Sequence, residues 1–189
     1  MSHLTVVYDA CVLYPAPVRD LLMQLATTGL FRARWSSMIH DEWTRSVLRD
    51  RPDLKPEQIA RTRELMDLHV LDGLVTGFES LIDALKLPDP NDRHVLAVAI
   101  RSCADAIVTY NLKDFPDNAL RQYGVEAIHP DAFLLSQLDL APSVVLSAVK
   151  THRARLRNPP RSAEEYLGCL GEQSLTQTVS ELRRSLELI

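Results

Sequence analysis

Residues 4–9 read Leu4-Thr5-Val6-Val7-Tyr8-Asp9, a short apolar, β-branched and aromatic run that stops at a carboxylate. Parallel strands are buried on both faces, carry such continuous apolar runs, and end where they meet a polar loop. Asp9 therefore belongs at the carboxyl end of a strand. The pattern returns in residues 104–110, where Ile107-Val108-Thr109 leads to Asn111, with Asp114 and Phe115 close behind. Residues 124–128 form a third candidate strand, and residues 32–35 a shorter one. Helices fill the intervals. Val18, Leu21, Leu22 and Leu25 recur at helical spacing after Pro15 and Pro17, with Gly29 as a stop. Ser36 or Ser37 caps a helix with Ile39, Trp43 and Val47 on one face, and this helix carries Glu42. Lys55-Pro56-Glu57 begins another, with Ile59, Leu65 and Leu68 on its buried side, and a further helix falls near residues 78–85. In Asp89-Pro90-Asn91-Asp92, Asp89 is the N-cap, Pro90 the first helical position and Asp92 the third, so Val95, Leu96, Ala99 and Ile100 face inward.

Strands alternating with helices build βαβ units, and hence an α/β fold with a mainly parallel, doubly covered sheet. Ligands of such sheets gather beyond the strand carboxyl ends. At 189 residues, 46% hydrophobic and 24% charged, the chain suits one soluble domain with an appended element. We expect the domain over residues 1–135 and a helical C-terminal extension over residues 136–189. In the extension, Val144, Val145, Ala148 and Val149 lie on a helix that turns basic at His152, Arg153, Arg155 and Arg157. Asn158-Pro159-Pro160 then interrupts it, and a polar segment leads to a last amphipathic helix near residues 175–188. The formal net charge of −4 argues against broad electrostatic attachment to nucleic acid. Any such contact is local, and the basic run is the place for it, with an acidic partner peptide as the competing occupant. Cys11, Cys103 and Cys169 have neither disulfide-framework nor zinc spacing, which fits a reducing cytoplasm. The opening apolar stretch is too brief for a signal peptide, and no segment reads as a membrane span.

Asp9 and Asp114 follow strands, Asp92 opens the helix before the second of them, and Glu42 needs only a helix crossing the same edge. Carboxylates gathered there repel one another by about 4 kcal/mol per pair at about 4 Å and an effective dielectric of about 20. Mg2+ or Mn2+ takes oxygen ligands, bridges phosphates and offsets that repulsion. One or two such ions activate a water for attack on phosphorus, so no nucleophilic side chain is needed. Trp35 and Trp43 read as core or interface and not as base-stacking platforms, and His94 as a solvent-facing or capping residue outside the chemistry.

The stretches Val7-Tyr8-Asp9-Ala10-Cys11-Val12-Leu13, Ile39-His40-Asp41-Glu42-Trp43, Asp89-Pro90-Asn91-Asp92-Arg93-His94-Val95-Leu96-Ala97 and Val108-Thr109-Tyr110-Asn111-Leu112-Lys113-Asp114-Phe115 resemble the PIN-domain nucleases, especially VapC-like toxins of bacterial toxin–antitoxin pairs. The resemblance spans residues 4–135. It implies a flavodoxin-like three-layer sandwich, Mg2+- or Mn2+-dependent cleavage of RNA, a homodimer and inhibition by a cognate antitoxin. Position by position, it makes Asp9, Glu42, Asp92 and Asp114 the catalytic and metal-binding acids, with Asn111 an orienting group or the alternative fourth position. Asp89 and Thr109 support them. Ala10 departs from the family, which often has Thr or Ser after the first Asp, so the hydroxyl must come from elsewhere, with Thr109 as the candidate. A haloacid-dehalogenase phosphatase would need an Asp at position 11, where Cys11 stands. A phosphoacceptor receiver would need a lysine where Ile128-His129-Pro130 stands. The remaining alternatives are a catalytically weak binding or regulatory module of the same fold and a nuclease acting on structured DNA.

Overall fold

The computed structural model describes residues 4–189, and residues 1–3 of the expected domain lie outside the described residues. Its elements are β1 (Thr5–Tyr8), α1 (Ala10–Leu13), α2 (Ala16–Ala26), β2 (Arg32–Arg34), α3 (Ser37–Asp50), α4 (Pro56–His69), α5 (Arg93–Arg101), β3 (Ala106–Val108), α6 (Asp117–Leu120), β4 (Glu126–Ile128), α7 (Pro130–Leu140), α8 (Pro142–Arg155), α9 (Ala163–Gly171) and α10 (Thr176–Arg183). Short 3-10 turns, including Pro90–Asp92 and Leu112–Asp114, join them. By internal contacts the chain divides into two compact units: Met1–Tyr14 with Phe31–His129, and Pro15–Leu30 with Pro130–Ile189.

The first unit holds a four-stranded sheet of order β2-β1-β3-β4. Every pairing is parallel, and Tyr8 lies beside Val108, which lies beside Ile128. This is the expected α/β architecture, with the most apolar strands innermost. Val6, Val7, Tyr8, Ile107 and Val108 are fully buried, and α5 covers β1 and β3 with Val95, Leu96, Val98 and Ala99. Ser36 caps α3 by accepting from the Ile39 N–H at 3.2 Å. Trp35 and Trp43 are core residues, as expected. The Trp43 indole N–H donates to His40 Nδ1, which leaves His40 Nε2 to donate to Asp67, where Trp35 also donates.

Three expectations are corrected. On α4 the buried residues are Ile59 and Met66, whereas Leu68 is 62% exposed, because the covered stripe is narrower than three leucine-spaced positions. Residues 78–85 form a 3-10 turn, Glu79–Ala84, in place of an α-helix. The polar segment after Pro160 holds a helix, α9, announced by a capping box in which Ser162 accepts from the Glu165 N–H and Glu165 from the Ser162 N–H.

In the second unit α2 packs on α8 and α9, and α10 on α7 and α9. Buried Asp131, near the start of α7, accepts from the backbone N–H groups of Gln177 and Thr178 at 2.9 and 2.8 Å, satisfying the start of α10 with another helix's carboxylate. Among the described residues no helix is long and apolar enough to cross a membrane.

Candidate active site

The register of β1 against β3 creates the site. Since Tyr8 pairs with Val108, the next residues, Asp9 and Thr109, leave the sheet side by side. The Asp9 N–H donates to Val108 O at 3.2 Å, so the strand pairing itself fixes where the carboxylate starts. The side chain is 4% exposed and held on both oxygens. Oδ1 accepts from the Ala10 N–H at 2.7 Å, and Oδ2 accepts from the Thr109 hydroxyl at 2.7 Å and the Cys11 thiol at 2.9 Å. The Thr109 hydroxyl, the candidate for the one absent at Ala10, is here directed at Asp9. Its Oγ1 also accepts from the Asn111 N–H at 3.0 Å, tying the loop after β3 to the same point. Burial pushes the Asp9 carboxyl above the ordinary carboxylate range; these donors oppose that, and the charge of Glu42 adds to it. Burial, then the neighbouring Asp9 charge, pushes the Cys11 thiol far upward, so Cys11 remains a protonated donor.

Asp92 ends the Pro90–Asp92 turn and leads into α5, while Asp89 caps the turn by accepting from the Asn91 N–H at 2.8 Å. The half-buried Asp92 carboxyl is pushed up to about 7, first by burial and then by the charges of Asp9, Asp89, Asp114 and Glu42. All four expected acids therefore share one electrostatic neighbourhood, with Asp89 as a fifth. Asp114 stands at the end of the Leu112–Asp114 turn, partly exposed, and the Asn111 that precedes the turn is exposed. Among the described residues no three His, Cys, Asp or Glu groups close into a ready coordination cage. The acids are grouped at interaction distance, not in ligating contact.

Two residues of this neighbourhood escaped the sequence. Cys11 carried no spacing signal; only its place two residues after a strand-end Asp, on the first turn of α1, hints that it folds back on that Asp. His94 corrects an expectation. It is 6% exposed, neither solvent-facing nor a cap, and its Nε2 lies 3.2 Å from Glu42 Oε2. An ionised carboxylate only accepts, so this nitrogen carries the proton. Its Nδ1 is buried without a partner among the described residues. His94 thereby holds Glu42, on α3, toward α5. The basic run expected to offer a local contact is only partly available: His152 is buried against Tyr166, and Arg153 donates to the carbonyls of Arg161 and Ile189. Arg155 and Arg157 alone of it are exposed.

Two family models and a named relative match the chain. The family described as VapC50 C-terminal domain matches residues 130–184. The protein named "Putative ribonuclease VapC50" of Mycobacterium tuberculosis is 42% identical over 117 residues, which is 60% of this chain and 68% of that protein. No solved structure matches the chain. The family described as PIN domain matches residues 5–113, more than half the chain and the stretch that carries Asp9, Glu42 and Asp92, and the chain belongs to the PIN-domain family.

Proposed function

We propose that the chain is an endoribonuclease that hydrolyses RNA phosphodiester bonds with Mg2+ or Mn2+, and that it is the toxin of a toxin–antitoxin pair. The observation that carries this reading is Asp92, raised to about 7 by burial among Asp9, Asp89, Asp114 and Glu42. A fold holds such groups together against their repulsion where a cation is to be received. The donor set fits a hard ion, because it is all oxygen and the nearest sulfur, Cys11, is protonated and spent on Asp9. Asp9, Glu42, Asp92 and Asp114 would hold the ion or ions, with Asn111 or Asp89 at the margin. Such an ion would supply Lewis-acid polarisation of a phosphoryl oxygen and would lower the pKa of a water so that hydroxide is available as the nucleophile.

The chain's own contribution is orientation. Thr109 and Cys11 pin Asp9 Oδ2, and the Ala10 N–H pins Oδ1, so the carboxylate cannot rotate away from the sheet edge. His94 restrains Glu42 in the same sense, and removing either restraint leaves the acid present but misdirected. The ribonuclease named above supports RNA as the substrate. A cognate antitoxin, a homodimeric state and a cytoplasmic location complete the proposal.

The purified chain is expected to cleave RNA oligonucleotides with Mn2+ or Mg2+, to stop in chelator, and to leave matched DNA intact. Folded Asp9→Asn and Asp92→Asn variants should be inactive. Undiminished cleavage in chelator would overturn the metal mechanism, and cleavage of DNA alone would overturn the substrate.

A further inference from the structure

Within the second unit a cavity of about 560 Å3 opens beside α2, α8, α9 and the segment between the last two, and none of the acids of the candidate active site lines it. His152, Arg155, Arg157, Arg161, Tyr166 and Asp20 are among its lining residues. The side chains of Arg155 and Arg157 make no salt bridge or hydrogen bond among the described residues, although acids elsewhere on the surface are paired. His152 is 6% exposed, and its Nδ1 is joined to the Tyr166 hydroxyl at 2.9 Å. Its Nε2 has no partner among the described residues, yet it is not a sealed atom, so a buried imidazole offers one free nitrogen to the cavity. Burial holds this ring below the ordinary histidine range, with Asp20 and Arg155 the charges nearest it. Asp20 gives Oδ1 to the Arg19 Nε–H at 3.1 Å and keeps its other oxygen.

These groups select a ligand. Arg161 is engaged by Cys169, with Glu165 and Glu172 beside it, which leaves the two uncommitted guanidiniums of Arg155 and Arg157 against the one lining carboxylate of Asp20; they call for an anion, and planar guanidinium matches phosphate in a bidentate way. The volume lies within the roughly 300–1,000 Å3 of small-molecule sites, well beyond a bare phosphate. The free carboxylate oxygen of the half-exposed Asp20 and the second nitrogen of the buried His152 want hydroxyl or amino groups beyond the anion, which neither an inorganic phosphate already taken up by the arginines nor an acidic peptide side chain supplies. Phosphate plus ribose hydroxyls plus a base satisfies all of them, and the 2′-hydroxyl is what a carboxylate can use to tell ribose from deoxyribose.

We propose that this cavity is a ribonucleotide-binding site, with the phosphate on Arg155 and Arg157 and the nucleoside directed toward His152 and Asp20. The ligand is a nucleoside 5′-monophosphate, either free or as an unpaired residue of an RNA chain. The proposal is independent of the nuclease reading, and its test is built to stay so.

Calorimetric titrations of the full chain carrying Asp9→Asn, in chelator, keep the acidic site out of the measurement. Adenosine 5′-monophosphate and a short oligoribonucleotide are the probes, with deoxyadenosine 5′-monophosphate, inorganic phosphate and a glutamate-rich peptide as comparisons. Binding of the mononucleotide identifies a free ligand, and binding of the oligoribonucleotide alone identifies an RNA residue; either supports the site. Arg155→Gln with Arg157→Gln, at exposed positions that leave the unfolding temperature unchanged, should weaken binding at least roughly tenfold. Asp20→Asn should erase the preference for ribose over deoxyribose. The proposal is overturned if neither probe binds, if phosphate or the peptide binds as well as the nucleotide, or if the double arginine variant binds unchanged.

Discussion

Replacing Asp92 by Asn should make the ion-free protein more stable while abolishing its cleavage of RNA. In the fold the Asp92 carboxyl has a pKa of about 7, against an ordinary 3.8. Between those values the folded chain keeps a proton that the unfolded chain has released, so wild-type stability falls as pH rises from about 4 to about 7 and is level above that. Three pKa units at about 1.4 kcal/mol each set an upper bound of about 4 kcal/mol. Asp92 is half-buried and screened by solvent, which reduces the expected loss to about 1–2 kcal/mol. The opposing attraction of a negative charge to the start of α5, about 0.3–1 kcal/mol, is already contained in the net upward shift. A neutral amide at this position avoids the whole loss. Urea unfolding in chelator should therefore give the Asp92→Asn variant a higher midpoint than wild type at about pH 8, with the gap closing toward about pH 4. Mn2+ should invert the order, since an ion at about a hundred times its dissociation constant adds about 2.7 kcal/mol to a chain that binds it and nothing to one that does not. Equal or lower stability of the variant at the alkaline end, or a gap that does not change with pH, would refute the claim that Asp92 sits among uncompensated charges.

Thr109→Val keeps shape but removes the 2.7 Å donor to Asp9, a charge-assisted bond worth about 1.5–3 kcal/mol. Turnover should fall by at least about tenfold with RNA affinity little changed, and Thr109→Ser should restore it. Gly73→Ala would place its Cβ 2.6 Å from the buried Trp35 ring and 2.9 Å from Val70 O, so thermal unfolding should report a loss of about 1–3 kcal/mol. Asp131→Ala strips two backbone N–H groups of α10 of their acceptor and should cost about 1–3 kcal/mol by chemical denaturation.

Much of the first unit was legible because its signals are local. Continuous apolar runs ending in polar loops mark buried parallel strands, and β1 and β3 lie inside the stretches so marked, while β2 and β4 fall inside the candidate strands at 32–35 and 124–128 without that signal. Asp89 and Pro90 announce their turn by chemistry within four residues. The reading failed where a tertiary partner decides. Leu68 has the apolarity of a core residue, but only the neighbour across α4 determines which stripe is covered, and that neighbour meets Ile59 and Met66. The start of α9 was different: Ser162 and Glu165 spell a capping box that composition alone obscured.

The site divides along the same line. That Asp9 and Thr109 each follow a strand is visible locally; that they touch depends on β1 and β3 being neighbours in the register that pairs Tyr8 with Val108, across a hundred residues of chain. A slip of one residue would send the two side chains to opposite faces and leave Asp9 buried without its hydroxyl donor. Cys11 and His94 were invisible for a related reason. A thiol and an imidazole have many uses, and neither spacing names Asp9 or Glu42 as the partner. What distinguishes them is geometric: each stands within reach of an acid whose direction matters. Asp9 is consequently better understood as one end of a clamp closed by three donors than as a lone acid, and the stability of that clamp follows from the sheet register before any ion or substrate arrives.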